Sequence, residues 1–217
     1  MKALFSYKEF INMMEKNHLP VIKQNIPEKG SSISVHDGYL TLIISGIVAG
    51  YCQNQPENIM NLVGEGCFLG MAQLVEDDTI PLNYQTLSAC TLYRYRIEDI
   101  QYVLTFPENY GFQYFMTKKL ANSFFYKAES ISYLQSNVKH RLAYVVKGII
   151  KSIIKEEEKD VYILPSCITT TVLRNYSTIS SSAFYSNLAA LREIGAITKI
   201  NHCWHVNMEK LNFLLGE

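Results

Sequence analysis

The stretch Ile168–Ile197 constrains the possible fold more than any other part of the sequence, because its pattern is typical of two short helices joined by a tight turn. The first helix is predicted over Thr170–Tyr176 and the second over Ser181–Glu193. The residues between them, Ser177–Ile179, are turn-prone around one apolar anchor. Gly195 follows at a place where a helix often ends in a left-handed conformation. The stretch is therefore predicted to form a helix-turn-helix.

Two faces distinguish the second of these helices. Phe184, Leu188 and Leu191 recur at a spacing that makes one apolar stripe, which can pack against the first helix. The opposite face, near the amino end, carries small hydroxyl residues and one aromatic residue: Ser181, Ser182, Tyr185 and Ser186. Thr169 and Ser180 fit the N-cap positions of the two helices, because their side-chain oxygens can accept bonds from free backbone N–H groups.

In a helix-turn-helix, the amino end of the second helix enters the major groove of DNA. Hydroxyl groups there can bond to base edges and phosphates. The candidate DNA-binding residues are Thr169, Thr170, Thr171, Ser180, Ser181, Ser182, Tyr185, Ser186 and Lys199. The alternative at this point is a helical hairpin that only packs against its neighbours.

The residues that follow favour the DNA-binding interpretation. Two short apolar runs, Thr198–Ile200 and Trp204–Val206, flank a polar turn and predict the hairpin wing of a winged helix. Lys199 lies in this wing, where it can contact a phosphate, whereas Trp204 is expected in the core. A closing helix is predicted over Met208–Leu215.

Composition places the chain among globular proteins that bury a core, with 217 residues of which 48% are hydrophobic. No apolar run is long enough to span a membrane, and the charged amino terminus does not resemble a signal peptide. Five scattered cysteines suggest free thiols in a reducing cytoplasm, and they form no metal-binding pattern. Residues 1–136 hold 10 Lys/Arg and 13 Asp/Glu, whereas residues 137–217 hold 10 and 7. The carboxyl-terminal part is thus the basic part.

From Val21 to Arg96, short apolar runs are cut by Pro, Gly, Asn and Asp, which is typical of an all-β barrel or roll. A long helix is predicted from Glu108 to Ser136. Its apolar residues recur at a coiled-coil spacing and form a candidate dimer interface: Ala121, Phe124, Ala128 and Ile131. The alternative is a helix buried within its own monomer. The predicted domains are 1–107 (roll), 108–136 (dimerisation helix) and 137–217 (winged helix-turn-helix), and the fold class is α+β.

This order of elements and several local motifs resemble the Crp/Fnr family of transcription regulators. Four segments carry the resemblance: Leu42–Val48, Gly66–Gly70, Val138–Ala143 and Ile168–Ile197. Two more, Ile59–Leu62 and Ser181–Ala183, resemble the PrfA branch of that family. The resemblance implies that the roll is similar to a cyclic-nucleotide-binding domain and that the protein is a bacterial regulator.

The sequence departs from the family at both functional sites. Members that bind a cyclic nucleotide have a Glu after a roll glycine and an Arg-Ser pair further on, but Met71 and Leu82-Asn83 occupy the matching positions. No Lys or Arg occurs between Lys29 and Arg94, and burying a phosphate without a cation is costly. Many members also have charged residues at the start of the second helix, where this chain has serines. A changed base preference, weaker DNA affinity and loss of DNA binding are the three possible consequences.

The leading interpretation is a homodimeric, sequence-specific transcription regulator that does not use cyclic AMP and binds a two-fold symmetric site in double-stranded DNA. The resemblance implies RNA polymerase as a further partner. PrfA-like proteins respond to glutathione, and Tyr126 on the long helix is the candidate contact for such an effector. No cofactor and no catalytic or metal site is predicted. A metal-dependent cupin-like enzyme would need a histidine cluster, but the roll has only His36. An interaction protein that keeps the fold without binding DNA stays open.

Overall fold

The structure is a computed structural model that describes residues 6–35, 37–52, 54–74, 82–121, 138–154 and 159–216. The described chain divides into two compact units. The first unit contains residues from 1–53 and 63–125, and the second contains residues from 54–62 and 126–217. None of the described helices is long and apolar enough to cross a membrane.

Up to residue 121 the chain is mainly β structure with helices at both ends. In chain order, its elements are α1 (Tyr7–Lys16), β1 (Ile22–Ile26), β2 (Ser32–Ile33), β3 (Tyr39–Ser45), β4 (Val48–Cys52), β5 (Gln55–Val63), β6 (Phe68–Leu69), a 3-10 turn (Met71–Leu74), β7 (Leu82–Thr86), β8 (Cys90–Arg96), α2 (Ile97–Leu104), a second 3-10 turn (Pro107–Asn109) and α3 (110–121). The β strands form two four-stranded sheets, in the orders β1-β8-β3-β6 and β2-β7-β4-β5. The predicted roll is therefore confirmed.

Strand β1 was not predicted as a separate strand from the sequence. It pairs antiparallel with β8, with Ile22 opposite Arg94 and Ile26 opposite Cys90. Only Ile26 is buried, and the other four residues of β1 are exposed. An edge strand with three consecutive polar residues has no clear two-residue alternation, so hydropathy alone does not identify it.

Strands β3 and β8 separate two apolar clusters, because alternate side chains of a strand point to opposite faces. Leu40, Leu42 and Tyr95 pack with the helices in a cluster that includes Phe10, Met14, Ile100, Phe115 and Met116. On the other face, Ile43 and Leu92 pack inside the roll with Ile33, Val35, Val48, Leu69 and Cys90. These two strands therefore form the common wall of the roll core and the helical layer.

Gly46 closes the connection between β3 and β4. Its φ is +94°, and a Cβ atom there would lie 2.3 Å from the Ala89 carbonyl oxygen and 2.9 Å from the Cys90 Cα. No other residue fits without moving the backbone of the neighbouring strand. This explains the glycine of the Leu42–Val48 motif on physical grounds.

The second unit contains a helical layer and a small sheet. Besides residues 54–62, its elements are α4 (Val138–Ile153), β9 (Val161–Ile163), α5 (Thr170–Ser177), α6 (Ser181–Glu193), β10 (Ile197–Ile200), β11 (Cys203–Asn207) and α7 (Met208–Leu215). Helix α4 packs against α5, α6 and α7. Strands β10, β11 and β9 form an antiparallel sheet in that order, so the strand before α5 joins the wing. The predicted winged helix-turn-helix is confirmed.

The predicted dimer interface lies mostly outside the described residues. Ala121 is half-buried at the end of the described part of α3. Phe124, Ala128, Ile131 and the candidate effector contact Tyr126 are not among the described residues, so the dimer remains a prediction.

Candidate nucleic-acid interface

A tight turn joins α5 to α6 and is fixed by the side chain of Ser177. The buried Ser177 hydroxyl donates to the Arg174 carbonyl oxygen at 2.8 Å and accepts from the Ile179 N–H at 3.4 Å. Between them Thr178 has φ 51° and ψ 22°, a left-handed conformation that is costly for a β-branched residue. The hydrogen bonds of Ser177 thus keep Thr178 in a backbone conformation that a β-branched side chain disfavours.

The predicted apolar stripe of α6 lies in the core of the second unit. Phe184 is fully buried, and Leu188 and Leu191 are 6% and 1% exposed. Leu173 of α5 is also fully buried, and burial raises the pKa of the Tyr176 hydroxyl. This core fixes the rotation of α6, so that its opposite face points to solvent.

The caps of the two helices differ. The Thr169 hydroxyl accepts from the Val172 N–H at 3.3 Å, as expected for an N-cap. Ser180 precedes α6 at the predicted cap position, but its side chain makes no capping bond and instead lies 3.5 Å from the Ser182 hydroxyl. The prediction that the Ser180 side chain caps α6 was therefore wrong. The Ser180 side chain therefore accepts no bond from the backbone N–H groups in the first turn of α6. N–H groups without a side-chain cap at the start of a helix favour the binding of a phosphate.

The exposed face of α6 carries Ser181, Ser182, Tyr185 and Ser186, as predicted. Tyr185 is 52% exposed, and its ring meets the Phe184 ring edge to face, with 5.3 Å between the centroids. At the start of α5, Thr169 and Thr170 are half-buried and Thr171 is exposed.

The wing hairpin turns through two left-handed residues, Asn201 with φ 49° and His202 with φ 65°. Two consecutive positive φ values are the mark of a type I′ turn, which matches the twist of the paired strands. Lys199 is paired with Trp204 across the hairpin, and its Nζ lies 5.1 Å from the centre of the indole ring. Trp204 is 2% exposed, so the predicted core position is confirmed. A buried ring thus supports an exposed cation at the surface of the wing.

No protein-family model matches this sequence, and no curated protein sequence matches it. Solved structures do match over nearly the whole chain. A cyclic nucleotide-binding domain containing protein from Listeria monocytogenes EGD-e is 16% identical, with a TM-score of 0.73, covering 93% of this chain and 98% of its own. FixK2 from Bradyrhizobium japonicum is 11% identical, with a TM-score of 0.70 and coverages of 90% and 98%. A transcriptional regulator of the CRP/FNR family from Thermus thermophilus is 15% identical, with a TM-score of 0.64 and coverages of 91% and 99%.

The chain has the Crp/Fnr fold. Sequence identities of 11% to 16% identify this fold and no branch within it. The resemblance to the PrfA branch therefore stays a prediction.

One feature of the interface in this Crp/Fnr fold was missed from the sequence. Glu57 and Asn58 of β5 line an open cleft of about 410 Å³ together with Arg174, Ser180 and Ser181. The Arg174 guanidinium lies near the Asn175 side-chain oxygen, at 3.4 Å. Glu57 places a carboxylate in the cleft at the amino end of α6, where it opposes an incoming phosphate. More than 100 residues of sequence separate these groups, so only the fold brings them together.

The two positions at which the resemblance to the Crp/Fnr family implies cyclic-nucleotide contacts have apolar side chains here. Met71 opens the 3-10 turn after β6 and packs against the helical cluster. Leu82 is the half-buried first residue of β7. Neither side chain can accept from a ribose hydroxyl or pair with a phosphate. Among the described residues, no three His, Cys, Asp or Glu side chains are grouped to hold a metal ion.

Proposed function

We propose that this protein is a homodimeric, sequence-specific DNA-binding transcription regulator. The observation that carries the proposal is the pairing of a buried stripe with an exposed hydroxyl face on α6, beside a wing that presents Lys199. This geometry allows α6 to enter a major groove while the wing contacts the flanking phosphates. The fold it shares with a transcriptional regulator of the CRP/FNR family supports the same function. The neighbouring structures include a transcriptional regulator of the CRP/FNR family, and we propose no catalytic activity.

Selection of bound duplexes from a random pool tests this function. We expect a two-fold symmetric sequence whose half-sites lie about 34 Å apart, because each protomer of a dimer places one recognition helix in the groove. Binding should weaken as the salt concentration rises, because phosphate contacts release counterions. A chain that binds no duplex at low salt is instead an interaction protein with the same fold. The uncharged face of α6 and Glu57 in its cleft are the features that favour this second candidate.

We propose that two copies associate through the stretch Ala121–Ile131 of their long helices. Replacing Ala128 with Glu should place two like charges in an apolar seam, at a cost of about 3–5 kcal/mol. Sedimentation should then show a monomer, whereas Lys118→Glu, an exposed change on α3, should leave the dimer intact. A dimeric Ala128→Glu variant would place the interface elsewhere.

We propose that cyclic AMP is not the effector, because Met71 and Leu82 replace the acid and the base that a cyclic nucleotide needs. Calorimetric titration should detect no binding at micromolar concentration, and a dissociation constant near 1 μM, about −8 kcal/mol, would contradict this. A glutathione-like effector and RNA polymerase remain candidate partners of the regulator. Titrating glutathione into wild type and Tyr126→Ala tests the first of these, since loss of binding is expected only in the variant.

A further inference from the structure

Two enclosed polar atoms belong to residues that face each other across two strands of the roll. The Thr41 Oγ1 and the Arg94 Nε are both buried, and neither has a hydrogen-bond partner among the described residues. Thr41 and Arg94 are directly opposite each other in the β3–β8 pair. Thr41 is 0% exposed. Leaving a buried polar group unpaired costs about 1–3 kcal/mol, so two adjacent ones require an explanation.

Both side chains point into the roll. Leu40 and Leu42, which flank Thr41, belong to the helical cluster, whereas Ile43 belongs to the roll core. Because strand side chains alternate, Thr41 faces the roll with Ile43. The same alternation on β8 places Arg94 with Leu92, on the interior face. Between Lys29 and Arg96, Arg94 is the one Lys or Arg in the sequence, and it differs from the Met71 and Leu82 positions.

The guanidinium of Arg94 is held in a fixed orientation. Its Nη2 donates to the Asp37 carboxylate, and its central carbon lies 4.8 Å from the centre of the Tyr39 ring. The Nε–H and the adjacent Nη2–H form the planar edge that binds a carboxylate through two parallel bonds. Asp37 uses only one donor of this edge, through a single oxygen. Half of a bidentate site is therefore unused.

Solvent reaches the outer part of this ion pair, although the Arg94 Nε itself is enclosed. The Arg94 side chain is 17% exposed and the Asp37 side chain is 35% exposed. Asp37 precedes β3 and is partly exposed, so its carboxylate can leave Arg94 and be solvated by water. The Thr41 hydroxyl cannot do so, because it is enclosed by the strands.

We propose that the Nε–Nη2 edge of Arg94 and the Thr41 hydroxyl bind the carboxylate of a small molecule, which displaces Asp37. The ligand accepts two parallel bonds from the guanidinium and a third from Thr41, so that both unpaired atoms are satisfied. Asp37 occupies the site when no ligand is bound and keeps the buried cation neutralised. This site is independent of DNA binding by the second unit.

The test uses the full chain with acetate, butyrate and succinate as probes, measured by calorimetry and by the melting temperature. Wild type should bind at least one of them. Asp37→Asn should bind it about tenfold more tightly, because no tethered carboxylate competes. The same variant should melt lower than wild type without the probe, since its buried cation has lost its partner, and the probe should restore it.

Three control variants separate a ligand site from a purely structural pair. Arg94→Lys keeps the charge but removes the planar edge, and it should lose binding. Asp37→Asn combined with Arg94→Gln should fold without a buried charge and show no rescue by the probe. Thr41→Val should weaken binding by at least about threefold, the loss of one hydrogen bond.

If no probe binds wild type, or if Thr41→Val binds as wild type does, the proposal is overturned. Equal binding of inorganic phosphate and acetate would also overturn the assignment to a carboxylate.

Discussion

Helix α6 and the wing each present one prominent exposed side chain on a buried aromatic ring. In α6, Tyr185 lies edge to face against Phe184, the residue before it. In the wing, the Lys199 ammonium lies over Trp204, its partner across the hairpin. The two buried rings are alike, because Phe184 is 0% exposed and Trp204 is 2% exposed. The exposed groups packed on them differ, since the Tyr185 phenol is neutral and the Lys199 ammonium carries a positive charge.

This difference suggests that the two regions have different roles in the proposed DNA interface. A neutral face of hydroxyl and phenol groups makes short contacts that depend on which base edge is opposite. A cation held over an indole ring attracts any phosphate, whatever the sequence. Specificity is therefore assigned to α6 and general affinity to the wing. Variants that alter one region and leave the other intact test this assignment.

The largest expected effect comes from removing the buried ring of Phe184, against which Tyr185 packs. Phe184→Ala should lower the free energy of unfolding of the second unit by about 3–5 kcal/mol, because it empties a fully buried aromatic position. Chemical denaturation followed by tryptophan fluorescence measures this, since Trp204 is the only tryptophan and lies in the same unit.

Tyr185→Ala is the matched control, because it removes the adjacent aromatic ring from an exposed position. It should lower stability by only about 1 kcal/mol, the contribution of one edge-to-face aromatic contact. Equal losses in the two variants would mean that Tyr185, like Phe184, is part of the core.

The contrast between these neighbouring residues was predictable from the sequence, because the spacing of Phe184, Leu188 and Leu191 fixes the buried side of a helix. The bounds of α6 and α7 were predicted from the pattern of their residues. Strand β1 was not, because it is held by pairing with β8 and buries only Ile26.

Details of the candidate site that depend on tertiary contacts were also missed. The missing cap at Ser180 follows from a side-chain orientation that a hydroxyl at a cap position does not reveal. Glu57 reaches the cleft only because residues 54–62 group with the second unit. The unpaired edge of Arg94 depends on the register of β3 with β8. Local patterns predict elements and their buried faces, and the pairing of distant segments decides which polar groups meet.

The second prediction tests the wing. Lys199→Ala should weaken binding to all duplexes alike and should reduce the salt slope by about one unit per protomer, the release of one counterion. Affinity measured at several salt concentrations, on a selected duplex and on a random one, gives this slope. Lys210→Ala is the matched control, because Lys210 is an exposed lysine of α7 whose ammonium lies beside Gly195. A loss confined to the selected duplex would assign Lys199 to base recognition instead.

The third prediction tests the reading face of α6. Tyr185→Ala should reduce the preference for the selected duplex by about 1 kcal/mol, at the low end of the roughly 1–3 kcal/mol that a bidentate Arg–guanine pair provides. Binding to random duplexes should hardly change, because no charge is lost. Competition between the two duplexes measures the preference directly. If Tyr185→Ala and Lys199→Ala weaken both duplexes equally, α6 is not the element that recognises sequence.

The smallest expected effect concerns the turn that sets α6 against α5. Thr178 holds φ 51° and ψ 22°, and a β-branched side chain in this region is strained by about 1–2 kcal/mol. Asparagine tolerates the left-handed conformation and adds less freedom to the unfolded chain than glycine does. Thr178→Asn should therefore stabilise the second unit by about 0.5–1 kcal/mol, after the loss of the bond from the Thr178 hydroxyl to the Ser177 carbonyl oxygen.

Thr178→Val keeps the branched shape without the hydroxyl, and it should destabilise. Because neither change touches Tyr185 or Lys199, the salt slope and the sequence preference should both stay as in wild type. A changed preference in Thr178→Asn would show that the strained turn sets the angle at which α6 meets the bases.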